Sequence, residues 1–219
     1  MDSVLRFLRK LKKNNNKPWF EANRNGYTEA KQELETFLEG LIASYSKTDD
    51  AISRLTPKDC MFRINRDVRF SKDKSPYKTN FGAYINPGGK KSTLAGYYLH
   101  IEPGESFVGG GLWMPMPAEL AKIRQEIDYN LPEFTAILSS ASFKKQYGSL
   151  STDEEYSLKR IPKGYENDNP AAEYLKLKSF IATRKLSDEE VSSTSLKKSC
   201  VAAFTALKPL LDFINRTQH

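Results

Sequence analysis

The sequence predicts an α+β fold: a central antiparallel sheet in a meander, flanked by N- and C-terminal helices. Three observations carry this. Apolar residues recur at helical spacing near both ends of the chain, the period changes to two between Met61 and Trp113, and turn residues punctuate that middle stretch at short intervals. Residues 1–219 are read as a single α+β domain, a length that one hydrophobic core can serve.

The elements follow in order. Val4, Leu5, Leu8 and Leu11 share one face of a first short helix, opposite Arg6, Arg9, Lys10 and Lys13, a pattern that suits docking on a core better than lying on a membrane surface. In "NNNKPWF" the first helix breaks and a new one starts, with Asn16 as N-cap and Pro18 near the first helical position. Tyr27, Ala30, Leu34, Phe37, Leu38, Leu41 and Tyr45 then predict a long amphipathic helix to about Ser46. Four extended segments come next: Met61 to Phe70, Thr79 to Asn86, Ala95 to Glu102, and Ser106 to Trp113. "NPGGKK" and "PGE" supply turns between the later ones. "MPMPAELAKIRQEIDYN" returns to helix with Leu120, Ile123 and Ile127 on one face. The polar stretch from Ser139 to Pro170 reads as a long irregular surface loop. Asn169-Pro170 opens a helix over "AAEYLKL", "KSFIATRKL" supplies a further strand, and Ser187 to Glu190 forms a capping box. The last helix buries Leu196, Cys200, Ala203, Phe204, Leu207, Leu211 and Ile214, and Pro209 is expected to bend it.

Composition removes several classes of function. With 39% hydrophobic and 28% charged residues, and no apolar run long enough to span a bilayer, a soluble protein without a membrane span is expected. No secretory leader is visible, so the sequon Asn215-Arg216-Thr217 carries no meaning. The two cysteines, Cys60 and Cys200, are far apart and outside any C-x-x-C pattern, which fits a reducing, cytoplasmic compartment and argues against a disulfide framework or zinc cage. Only His100 and His219 are histidines, and no glycine fingerprint for a nucleotide is present, so neither a metal nor a cofactor is expected. "GGGLWMP" lies in a strand-like stretch, and its glycines read as close packing of another backbone or a ring against the sheet.

Charge is concentrated. Between Arg54 and Lys91 ten Lys/Arg face three Asp, a surplus of seven that equals the formal charge of the whole chain. As a strand, "FRINRDVRF" turns Phe62, Ile64, Arg66, Val68 and Phe70 to one face and Arg63, Asn65, Asp67 and Arg69 to the other. Arg66 thus falls on the apolar side, where a lone guanidinium is costly and must find a partner. Asp67, between Arg63 and Arg69, is suited to orienting them and poorly suited to act as a base.

The spaced string Arg63-x-x-Arg66-Asp67-x-Arg69-Phe70-x-x-Asp73-Lys74-x-x-Tyr77 resembles the signature of the domain of unknown function 2461 family, which is mainly bacterial. "NNNKPWF", "GGGLWMP" and "LKRIPKGY" are similar to that family's other landmarks, so the resemblance covers nearly the whole chain. It implies that these stretches belong to one domain and brings no established activity with it.

Three readings of the cluster compete. The first is a pocket for a small phosphate- or carboxylate-bearing ligand, formed by Arg63, Arg66, Asp67, Arg69, Asp73, Lys74, Tyr77 and Lys78. Binding and electrostatic catalysis would use the same groups; no activated nucleophile is visible, and acid/base work would fall to Tyr77, Glu102 or His100. The second is an ion-pair network that ties the segment together in an interaction protein. The third is single-stranded nucleic acid on a basic sheet region, with Phe70, Tyr77, Phe81 and Tyr84 as stacking rings; the alternation of Phe81 with Ala83 and Ile85 assigns that ring to the core.

Overall fold

A computed structural model describes residues 1–218; His219 lies outside them. The fold is α+β. Helices α1 (Asp2–Lys13), α2 (Lys17–Ala22), α3 (Arg24–Tyr45) and α4 (Pro57–Cys60) precede strands β1 (Phe81–Ile85), β2 (Gly96–Ile101) and β3 (Phe107–Leu112). Helices α5 (Pro117–Tyr129), α6 (Leu131–Ser139), α7 (Ala141–Tyr147) and α8 (Ala172–Leu175) lead to β4 (Phe180–Lys185), and α9 (Asp188–Ser192) and α10 (Leu196–Asn215) follow. The sheet order is β1-β2-β3-β4. The first three strands form the expected meander, and the fourth is the "FIATRK" strand, reached by the long helical connection after β3.

Two compact units emerge. The first holds Met1–Lys91, Tyr98–Val108 and Lys185–Val201. In it α1 buries Val4, Leu5, Phe7, Leu8 and Leu11, so its apolar stripe is spent on the core. Asn16 caps α2 by accepting from the Trp19 N–H, as its sequence position predicts. Helix α3 buries Ala30, Leu34, Leu38, Leu41, Ile42 and Tyr45 along one face. Phe20 links α2 to this core: its ring stacks on Tyr77 at 4.0 Å and tilts against Tyr27 at 5.1 Å.

The second unit holds Ser92–Tyr97, Gly109–Arg184 and the chain from Ala202 onwards. Phe134 of α6 is its aromatic hub, with Tyr174, Phe213 and Phe180 at 5.0, 5.1 and 6.4 Å. The stretch read as a long irregular loop is partly helical. Ser140 accepts from the Phe143 N–H to start α7, and Phe143 is buried, so a short capped helix with one apolar anchor hides in a polar composition. The "AAEYLKL" helix is shorter than predicted, a single turn at α8. The Tyr147 hydroxyl donates to the Ala203 carbonyl at 2.7 Å and ties α7 to α10.

The clearest departure is the predicted strand Met61 to Phe70. No regular strand forms there; only the isolated antiparallel bridges Met61–Ala83 and Asn65–Tyr77 remain. The bridges are supplemented by N–H donation from Phe62 to Gly82 O, from Lys78 to Ile64 O and from Arg66 to Pro76 O. Beyond Arg66 the chain leaves the ladder in a loop closed at Pro76, and the alternation stops describing burial. Ile64 is buried, but Phe70, assigned to the apolar face, is 95% exposed.

Candidate functional site

The loop from Arg66 to Pro76 is built by its own charges. The Arg66 guanidinium is hydrogen-bonded to Asp73 and donates to the Ser71 hydroxyl at 3.3 Å and the Ser75 carbonyl at 3.2 Å. Asp73 in turn accepts from the Ser75 N–H at 2.9 Å. Ser75 first, and then Arg66, hold the Asp73 carboxyl down at about 2. Lys74 donates to the Val68 carbonyl at 3.0 Å. Arg69 forks onto Asp67, with Nε 2.9 Å from Oδ1 and Nη2 2.6 Å from Oδ2. That contact, with Arg63 adding to it, lowers the Asp67 carboxyl below its ordinary range, as expected of an orienting group.

Arg66 therefore finds the partner its position demanded, but its side chain keeps 26% of its surface exposed, so it is less buried than the strand pattern implies. Tyr77 faces the core: it stacks on Phe20, and its backbone is bracketed by the Asn15 side chain, which donates to its carbonyl at 2.9 Å and accepts from its N–H at 3.1 Å. The role of Asn15 is hidden in an Asn run that composition reads as a break. The eight predicted residues thus divide. Arg66, Asp67, Arg69, Asp73 and Lys74 contact one another or the loop backbone, Tyr77 supports the base of the loop, and Arg63 and Lys78 remain.

Those two cations are differently placed. Arg63 is exposed and has no hydrogen-bonded partner among the described residues. The Lys78 ammonium sits 5.4 Å from the centre of the Phe62 ring. Burial pushes the Lys78 pKa below the ordinary lysine range, and the like charge of Arg63 pushes it further.

Beside Lys78 lies a chain of polar groups on β2. Tyr98, His100 and Glu102 alternate along the strand and so share a face. The Tyr98 hydroxyl lies 3.2 Å from His100 Nδ1, and His100 Nε2 lies 3.3 Å from Glu102 Oε2. Donation from Tyr98 to Nδ1 leaves the Nε2–H to donate to Glu102, which satisfies all three. Glu102 also accepts from the Thr79 hydroxyl at 2.8 Å and has the Lys12 ammonium at 3.7 Å. His100 stacks on Phe107 at 4.6 Å, nearly parallel. Space for Tyr98 comes from Gly82, where a Cβ would lie 2.5 Å from the phenol oxygen. The half-buried alternation was visible in the sequence; the glycine that seats the phenol was not.

Burial pushes the Tyr98 phenol up to about 12. It stays protonated at neutral pH and acts as a hydrogen-bond donor in preference to a nucleophile. Burial also lowers the His100 pKa, with Lys78 adding to this and Glu102 opposing it, so the imidazole is held neutral. The face offers Tyr98 and His100 as neutral hydrogen-bonding groups, with Glu102 at one end beside Lys12 and with the charge of Lys78 acting on His100.

Both cysteines are buried and neither is in a disulfide, and burial pushes the Cys60 thiol up to about 11, which leaves it unreactive. No described helix is long and apolar enough to cross a membrane. No curated protein and no solved structure matches the chain significantly. One family profile, described as a conserved hypothetical protein, matches residues 3–213; by that match across almost the entire length, the chain belongs to the DUF2461 family.

Proposed function

We propose that the polar face around β2 binds a small ligand bearing a phosphate or carboxylate, through Arg63 and Lys78, with Tyr98 and His100 as neutral hydrogen-bonding partners. The observation that carries this reading is Lys78: a half-buried ammonium set against the Phe62 ring, with no hydrogen-bonded or ion-paired partner for its side chain among the described residues. The like charge of Arg63 acts on this ammonium, and a bound anion would offset both.

The residues of the loop itself support the structural reading for five of the eight predicted positions. Arg66, Asp67, Arg69, Asp73 and Lys74 each make a hydrogen bond inside the segment, so in this reading they frame the site and leave the small anion to Arg63 and Lys78.

Thermal-shift and calorimetric titration with inorganic phosphate, a phosphorylated sugar and succinate tests the proposal. Saturable binding should weaken roughly tenfold or more in Arg63→Ala and in Lys78→Met, equivalent to about 1.4 kcal/mol or more. Binding unchanged in both variants, or no response to any of the three anions, refutes it.

A further inference from the structure

Phe70 stands out among the described rings because the fold goes to some length to expose it. It is 95% exposed on a loop whose ends are joined by the Arg66 N–H donating to Pro76 O at 2.9 Å. Beneath it the Arg66–Asp73 pair, the Lys74 contact to Val68 O and the Arg69–Asp67 fork hold the loop backbone. An aromatic on an unsupported loop could fold back onto apolar surface; here the bracing keeps it outward. The Arg69 guanidinium lies 5.8 Å from the centre of the Phe70 ring, and the exposed Lys72 follows two residues later. A second aromatic–cation pair, Phe62 with Lys78, occurs in the same stretch, and Phe62 is 36% exposed. The other aromatics of the basic window point elsewhere: Tyr77 and Phe81 are buried, and Tyr84 is only partly exposed.

We propose that the loop between Arg66 and Pro76 docks single-stranded nucleic acid, with a base stacked on Phe70 and Arg69, forked onto Asp67, beside the ring, and with the flanking phosphate met by Lys72. A ring with a cation beside it supplies the two contacts that each nucleotide offers, a flat face and an adjacent negative charge. The cationic surplus of the window gives the attraction its sign. An anionic bilayer fits less well. The loop offers it one exposed ring, with Val68 partly buried, and the basic amphipathic α1 has already spent its apolar stripe on the core. Duplex DNA keeps its bases stacked inside and leaves Phe70 without a partner.

The test uses the full chain and a labelled short oligothymidylate in fluorescence anisotropy, a duplex of the same length, and flotation with vesicles of phosphatidylserine and phosphatidylcholine, each at two salt concentrations. The single strand should bind more tightly than the duplex. Phe70→Ala should weaken that binding roughly 5- to 100-fold, and Phe70→Trp should retain it. Lys72→Gln should flatten the dependence of log affinity on log salt by about 0.7, because the variant neutralises one phosphate fewer. Phe70 is at the surface, so an unchanged thermal melt separates lost binding from lost folding. Equal affinity of Phe70→Ala and wild type, preference for the duplex, vesicle binding without oligonucleotide binding, or no binding by the wild type would each overturn the proposal. The small-anion site is tested separately, because Phe70→Ala leaves Arg63 and Lys78 in place.

Discussion

The glycine run on β3 and the charged run after Met61 both break the ordinary composition of a strand, and they end in opposite places. Gly109, Gly110 and Gly111 stay in the sheet because the neighbouring backbones occupy the space their side chains would need. A Cβ on Gly109 would lie 2.2 Å from Ala182 O, one on Gly110 2.2 Å from Gly96 O, and one on Gly111 2.0 Å from Phe180 O. Gly111 also has a φ of +121°, a region that L side chains rarely adopt. The charged run leaves the sheet after Arg66, because Asp67, Ser71, Asp73 and the carbonyls of Val68 and Ser75 satisfy its cations within a few residues. Missing side chains are thus explained by distant neighbours, and excess charge by near ones.

The most damaging single change should fall on the glycine side. Gly111→Ala drives a methyl group into the Phe180 carbonyl and strains the backbone, a combination expected to cost about 4 kcal/mol or more. Chemical denaturation checks it, with Gly104→Ala as the control: that glycine has φ +81° but nothing within 4 Å, so the expected cost is about 1 kcal/mol. Equal costs would mean that backbone conformation alone, and not the close approach, keeps the run glycine.

Arg66→Ala probes the other side and should do less. A fully buried guanidinium would leave its partner stranded at a cost of several kcal/mol. Asp73 is well exposed, however, and water can replace Arg66 there. The expected loss is about 1–2 kcal/mol, confined to the loop. Amide exchange should accelerate between residues 66 and 76 while the global melt moves little; a large drop in the global melt would show that the loop braces the core. Acid should act on the same contacts. Asp73 titrates at about 2 when folded against an ordinary value of 3.8, so its contribution is complete above the ordinary value and is lost as pH falls toward 2.

These particulars mark how far the sequence is legible. Extended, turn-bounded segments located β1, β2 and β3 because those segments pair in one continuous sheet, and caps located α2 and α9 because a cap is a local contact. Period-two alternation misread residues 67 to 70, since a pattern of apolar and charged residues cannot show whether the charges will be satisfied by the sheet's surroundings or by the next turn of chain. α7 was hidden because a short helix anchored by Phe143 alone has too few apolar residues to show a period. For the site, residue types and spacing picked out the charged segment. The division into loop braces and remaining cations rests on side-chain directions, and the seat for Tyr98 at Gly82 rests on a cross-strand register that no local pattern encodes.

Lys78 should give the smallest effect, and one of opposite sign. Burial and Arg63 both lower its folded pKa, so the unfolded chain holds the proton more tightly and the charge works against folding at neutral pH. Wild-type stability should therefore rise as pH climbs through the lowered range to the ordinary lysine value of 10.5, where the penalty has been shed. Lys78→Met removes the charge and keeps an unbranched stem whose sulfur can rest on the Phe62 ring. The variant should gain about 0.5 kcal/mol at neutral pH, modest because the site is only partly shielded from water, and the gain should vanish near the ordinary lysine pKa. Urea denaturation at neutral and alkaline pH measures both. A stabilised variant that has also lost its response to phosphate is what a charge held for a ligand should give, since such a group costs stability when its partner is away. If Lys78→Met instead destabilises the protein at neutral pH, the ammonium has a compensating partner within the fold, and the contrast drawn between it and the braced cations of the loop collapses.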